Sequence, residues 1–263
     1  MKRLATALIC VFVLAGCGHL VRGGSADAPL EIAGVLAGHN NFRGYLLVSS
    51  DLLVPKGSTL TFEPGTTVLV RDSQSTKIDP ECLSPLTEII VRGTLIVNGE
   101  PQSPVRFIPE RAFDVREPGW AGIILDRTTG SIVHNSEILA AETGVYIIDS
   151  SPEIIGNKIS GSRYGIISQG GAAKILDNEI MHGEGGVFCW NDCRAYLKSN
   201  TIVDNDEEGI VVDSSSRPYI DRNIVSGNDI GLVVPAAIPY DPTVIKGNHR
   251  DVLLLKNPGG ERR

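Results

Sequence analysis

The chain has 263 residues, 42% of them hydrophobic but only 5% aromatic, and 29 are glycine. Charged residues at 21% alongside abundant Val, Ile and Leu exclude a disordered chain, and the length suffices for one large core or two ordinary ones. Lys+Arg 24 against Asp+Glu 31 gives a net charge of −7, so no general electrostatic attraction to nucleic acid is expected. Lys2 and Arg3 then precede an almost unbroken apolar run from Leu4 to Leu14, followed by Ala15-Gly16-Cys17. The run is short for a membrane span. A basic head, an apolar stretch and small residues before a break form the pattern of an export signal.

Leu14-Ala15-Gly16-Cys17 resembles the lipobox of bacterial lipoproteins. The resemblance implies a signal peptide of residues 1–16, cleavage before Cys17 and acylation of Cys17, which makes the membrane a partner. Cleavage leaves 22 basic residues against 31 acidic ones, a mature charge of −9. Acyl chains contribute roughly 0.8 kcal/mol per buried CH₂, so a multiply acylated cysteine anchors without a transmembrane helix. Gly18 in place of Asp after the cysteine implies the outer membrane in the sorting rule of diderm lipoproteins. Residues 17–29, rich in Gly, Ser and Ala, are expected to be a flexible tether.

Short apolar strands follow, among them Leu46-Leu47-Val48, Thr59-Leu60-Thr61-Phe62, Thr67-Val68-Leu69-Val70 and Thr94-Leu95-Ile96-Val97. Turn formers such as Pro55-Lys56-Gly57, Glu63-Pro64-Gly65 and Asn98-Gly99 separate them. Residues 71–88 interrupt the series and read as a protruding loop carrying Cys82.

The second half is a repeat. Ile/Leu-x-x-Asn-x-Ile/Val recurs with Asn157, Asn178, Asn200 and Asn223, and Ser136 replaces the asparagine one unit earlier. Ile245-Lys246-Gly247-Asn248 reads as a degenerate copy one turn later. A glycine opening a second strand follows each unit, at Gly144, Gly165, Gly186, Gly209 and Gly231. Units of 21–23 residues built from short β-branched strands and turns, with no amphipathic helix, predict an all-β chain coiled so that each rung pairs with the next. The pattern resembles the right-handed parallel β-helix of the pectin-lyase-like fold. We therefore expect a single solenoid over 30–255 and a polar tail at 256–263.

The asparagine column Asn157, Asn178, Asn200 and Asn223 suits a structural amide ladder. Glu142, Arg163, Glu184, Asp206 (Glu207 being the alternative in a longer unit) and Asp229 form a charged column, and Glu153 over Lys174 and Tyr196 over Tyr219 form stacked pairs. Functional candidates are the irregular polar groups. Asp204, Asp206 and Glu208 offer hard oxygen ligands for Ca²⁺. His182, Glu184, Asp204 and Asp206 fall on adjacent turns as an acid/base set. Trp190, Asn191 and Asp192 suit a sugar face. Cys189 and Cys193 are close enough for a disulfide, while the repeat points Cys189 inward as a buried thiol.

Three functions are compatible with these features. The first is a non-catalytic, lipid-anchored envelope module binding a glycan or another envelope protein. The second is a polysaccharide lyase, hydrolase or epimerase, although the Asn-x-Asp, Asp-Asp and Gly-His-Gly set of polygalacturonases and the Asp-Pro-His of alginate epimerases do not occur. The third resembles the β-helix proteins of copper delivery to nitrous oxide reductase, with Met181, His182 and Cys189 as ligands.

Overall fold

The computed structural model describes residues 21–72, 84–111 and 117–256. The export signal, Cys17, Cys82 and residues 257–263 of the expected tail lie outside them. The described residues form twenty-six strands whose ladders are all parallel. No helix among them is long and apolar enough to cross a membrane.

One turn is represented by Ile132–His134 on a first face, Ser136–Leu139 on a second and Ala141–Ile148 on a third. The next turn repeats these at Glu153–Ile155, Lys158–Ser160 and Tyr164–Gln169. Val133 pairs with Ile154, Ile138 with Ile159 and Val145 with Ile166, so all three faces advance together. Following the third face from Val35 through Leu53, Ile90, Ile124 and onward to Leu253 gives nine steps, hence ten turns. The expected all-β solenoid is what the chain forms.

Alternation along each strand decides which side chains enter the core. Val145 and Ile147, then Val187 and Cys189, then Ile210 and Val212 point inward and are fully or almost fully buried. β-Branched residues fill a pleated wall well, which is why short Ile/Val strands suffice. Near the N-terminal half the interior is aromatic: Phe42, Phe62, Phe107 and Trp120 form a continuous series with centroids 5.4–6.3 Å apart. The buried Trp120 indole N–H donates to the Leu139 carbonyl at 2.9 Å.

The corners need left-handed backbone. Between the first and second faces it is taken by Asn135, Gly156, Asp177, Ser199 and Arg222. Between the second and third it is taken by Ala140, Gly161, His182, Asp204, Gly227 and Gly247. Gly, Asn and Asp tolerate this conformation best, so the corner columns are enriched in them. The second glycine column has a different cause. A Cβ on Gly144 would lie 2.7 Å from both the Gly165 carbonyl oxygen and Ile159 Cγ2, because successive backbones approach closely there.

The asparagine ladder is buried and continuous. The backbone and side-chain amides of Asn157 donate to Asn178 Oδ1 at 3.0 and 2.9 Å, and Asn178 repeats both bonds to Asn200 Oδ1. Asn200 repeats them to Asn223, and Ser136 closes the series by donating to Asn157. Each Asn side chain also donates to a carbonyl of the preceding turn, as Asn178 does to Ile154 at 2.8 Å.

Three expectations change. Residues 17–29 are not a free tether along their length: Val21–Arg22 pairs with Asn41 and Phe42, and Gly24 exchanges backbone hydrogen bonds with Tyr45. Asn248 is not a copy of the first column, because it lies under Asn228, which lies under Asn205, in a second ladder at the next corner. Cys189 and Cys193 form a disulfide facing the core.

Asn178→Ala strands the Asn157 backbone and side-chain amides and the Ile154 carbonyl in a dry interior, where an unmade hydrogen bond costs about 1–3 kcal/mol. Denaturant unfolding is expected to show a loss of about 2–4 kcal/mol, far above the effect of a surface substitution.

Candidate functional site

The corner between the second and third faces gathers four of the sequence candidates. His182 and Asp204 occupy equivalent left-handed positions on successive turns, at φ 58° and 55°. Met181 pairs with Val203 immediately before them. Glu184 and Asp206 follow two residues later. His182, Glu184 and Asp206 line one groove of about 330 Å³ together with Arg163 and Pro118. Asp204, Asp206, Asp229 and His249 line the adjoining one, of about 490 Å³, so Asp206 joins the two into a trough along the coil.

The trough's floor is made by the second ladder. Gly183 N–H donates to Asn205 Oδ1 at 3.1 Å, Asn205 donates to Asn228 at 2.9 Å, and Asn228 donates to Asn248 at 2.9 Å. Asn205, the second residue of the acidic run Asp204–Glu208, is therefore buried. Its five-residue spacing from Asn200, repeated by Asn228 after Asn223, was the available sequence signal. The extra residue of this turn is absorbed between Glu207 and Ile210. The Asp206 and Glu207 amides donate to the Gly183 and Glu184 carbonyls at 2.8 and 2.7 Å, and regular pairing resumes at Val187 with Ile210.

Arg163 bridges the expected charged column, 3.7 Å from Glu142 and 3.3 Å from Glu184. His249 Nδ1 is 3.3 Å from Asp229 at the exposed end of the trough. Desolvation, with the nearby Glu207 and Asp229 carboxylates, raises the Glu208 carboxyl above its ordinary range. Desolvation also raises the Tyr164 hydroxyl, helped by Glu184 and Glu207. The corner is electronegative as well as polar.

Other candidates are not drawn together. Trp190 ends the strand Gly185–Trp190 whose start adjoins Glu184, roughly 17–20 Å away at about 3.3 Å per residue. Its half-buried ring packs edge-on against Phe188 at 5.3 Å, while Asn191 and Asp192 are exposed beside it. Their backbone amides donate to Asp213 and Ser215, which gives them a place in the corner stack. Asp204, Asp206 and Glu208 do not converge: no group of three or more His, Cys, Asp or Glu suited to a metal ion occurs among the described residues. The soft set fails because the Cys189 sulfur is committed to the disulfide, leaving no thiolate beside Met181 and His182.

Sequence reasoning missed two surface features. Arg106, Glu137, Lys158 and Glu179 stack outward on the second face, with Arg106–Glu137 at 2.8 Å and Lys158–Glu179 at 3.5 Å. At the opposite edge of the third face, Lys56, Arg92 and Arg127 surround the buried Asp126 in a groove of about 190 Å³. Desolvation pushes the Asp126 carboxyl up, but hydrogen bonds from Arg127 and Arg92 outweigh it and hold the group below the ordinary range.

Residues 121–248 match the family model described as right handed beta helix region, which covers the repeat, both asparagine ladders and the trough except Pro118 and His249. No curated protein and no solved structure matches the chain.

Because the folded-state pKa of Glu208 is raised, ionisation penalises the fold once pH exceeds the ordinary carboxyl value of 4.5. Glu208→Gln is expected to raise stability at pH 7, and the gain should vanish below about pH 4. Urea midpoints across that range check both the sign and the window.

Proposed function

We propose that this right-handed parallel β-helix is a lipid-anchored module of the bacterial cell envelope, held at the outer membrane by Cys17, which binds a glycan along its acid-lined corner without transforming it. The trough from His182 to His249 carries this reading. It is open, runs along the stacking axis and presents a carboxylate or imidazole on each turn. Arg163 is already paired with Glu142 and Glu184, so one of the two carboxylates a glycosidase would require is engaged in a surface ion pair.

The charge of the trough restricts the ligand. Glu184, Asp204, Asp206 and Asp229 outnumber its one arginine and disfavour a polyanionic chain. Neutral or amino-bearing sugars, whose hydroxyl and ammonium groups donate to carboxylates, fit better. The enzymatic reading keeps one supporting observation, the convergence of His182, Glu184 and Asp206 on one groove.

Thermal unfolding of the chain lacking its first 17 residues, against neutral, amino-bearing and uronic-acid oligosaccharides, tests the proposal. A ligand specific for the folded state at 100 times its Kd adds about 2.7 kcal/mol. Stabilisation is expected with the first two classes and not the third, with the oligosaccharide recovered intact and the shift lost in Asp206→Asn. Cleavage abolished by Asp206→Asn or Glu184→Gln would establish the enzymatic reading instead. No shift with any sugar would remove glycan from the proposal and leave a protein partner.

A further inference from the structure

We infer that the edge of the first face where Arg194 and Arg217 stack binds a phosphorylated sugar, at a site separate from the trough. The chain repeats Arg-x-Tyr there, as Arg194-Ala195-Tyr196 and Arg217-Pro218-Tyr219. Tyr196 pairs with Tyr219, and the Arg217 amide donates to the Cys193 carbonyl as the Tyr219 amide does to Ala195. Arg217 therefore stands one rung, about 4.8 Å, from Arg194. Ala195 and Pro218 are buried, so alternation turns the arginines and the tyrosines outward together. All four side chains are exposed. The trough opens at the other end of the third-face strand Gly185–Trp190, so the two sites take separate ligands.

Like charges in register repel one another. On the strands of the first and second faces stacked charges alternate in sign, as in Glu153–Lys174, Lys198–Asp221 and Lys158–Glu179. Arg194 and Arg217 depart from this, and among the described residues neither is ion-paired. Arg217 Nη1 donates to the Ser214 and Ser216 carbonyls at 2.9 and 2.6 Å, which holds its guanidinium against the corner. Asp213 on that corner takes hydrogen bonds from Asn191, Ser215 and Ser216 rather than from an arginine. Two guanidiniums a rung apart fit an anion with oxygens enough for both. A phosphate ester meets that need, whereas a single guanidinium already saturates a carboxylate in a two-pronged pair.

Tyr196 and Tyr219 offer what a bare anion would not use. Their rings are 52% and 53% exposed with centroids 5.8 Å apart, an uncovered aromatic shelf beside the guanidiniums. The apolar face of a pyranose can lie on such a shelf while the phenol groups meet its hydroxyls. The combination of shelf and paired cations selects a ring that carries phosphate.

The test is equilibrium binding to the full chain, read by ligand-observed NMR, with glucose 6-phosphate, glucose, inorganic phosphate and adenosine monophosphate as probes. Glucose 6-phosphate is expected to bind about tenfold more tightly than glucose or inorganic phosphate. Arg194→Gln and Arg217→Gln should each weaken it about tenfold and Tyr219→Ala severalfold, with urea midpoints unchanged. Arg222→Gln, which removes an exposed arginine paired with Asp221, should leave the affinity as it was. Equal affinity for inorganic phosphate and glucose 6-phosphate means a patch that holds any anion and has no use for a ring. Tighter binding of adenosine monophosphate makes it a nucleotide site. Either result overturns the inference, as does no binding at all or an affinity untouched by both arginine substitutions.

Discussion

The described side chains of the coil take their positions from one constraint, that each turn of backbone pairs in register with the turn before it. Parallel ladders on three faces fix the rise between rungs, so equivalent residues must stack about 4.8 Å apart whether or not they attract one another. Residues that benefit from such stacking then accumulate in columns. Asparagine benefits most, because its amide can donate to the turn on one side and its carbonyl can accept from the other. Opposite charges benefit on the exposed faces, as Arg106, Glu137, Lys158 and Glu179 do, although each such pair contributes only about 0–1 kcal/mol.

This constraint also explains what could be read from the sequence. The recurrence of asparagine and glycine at fixed offsets exposed the coil, its period and its first ladder without any knowledge of contacts. Asn248 was misassigned because Ile245-Lys246-Gly247-Asn248 imitates the local pattern of the first column, and only register places it under Asn228. The pairing of Cys189 with Cys193 was undecided because it depends on the bend at the intervening corner, which carries no period. Val21–Arg22 passed for tether since two residues of strand have no repeat to announce them. The aromatic interior from Phe42 to Trp120 was likewise hidden, for those rungs differ in length and interrupt the numbering.

The candidate site was legible in part. Aligning the turns brought His182 beside Asp204 and Glu184 beside Asp206, and the structure gathers all four on one corner. It also gives that corner a structural reason to hold such residues, because the left-handed bend favours small and polar side chains. Trp190, Asn191 and Asp192 belong to another corner, at the far end of the strand Gly185–Trp190. Charge is unequally divided along the rod. Lys56, Arg92 and Arg127 succeed one another on early turns, and Asp204, Asp206 and Asp229 on late ones.

If register is the controlling constraint, one turn is a removable unit. Residues 158–178 span one period, from the residue after Asn157 to Asn178, and their excision joins Asn157 to Glu179, the partner of Lys158. Denaturant unfolding of this 21-residue excision should remain cooperative, with a parallel-β spectrum and a modest loss of stability. Excision of 158–168 leaves about half the chain that a turn requires, breaks the pairing of all later turns with the earlier ones, and should abolish that transition. Equal behaviour of the two excisions, whether both folded or both unfolded, would contradict the account.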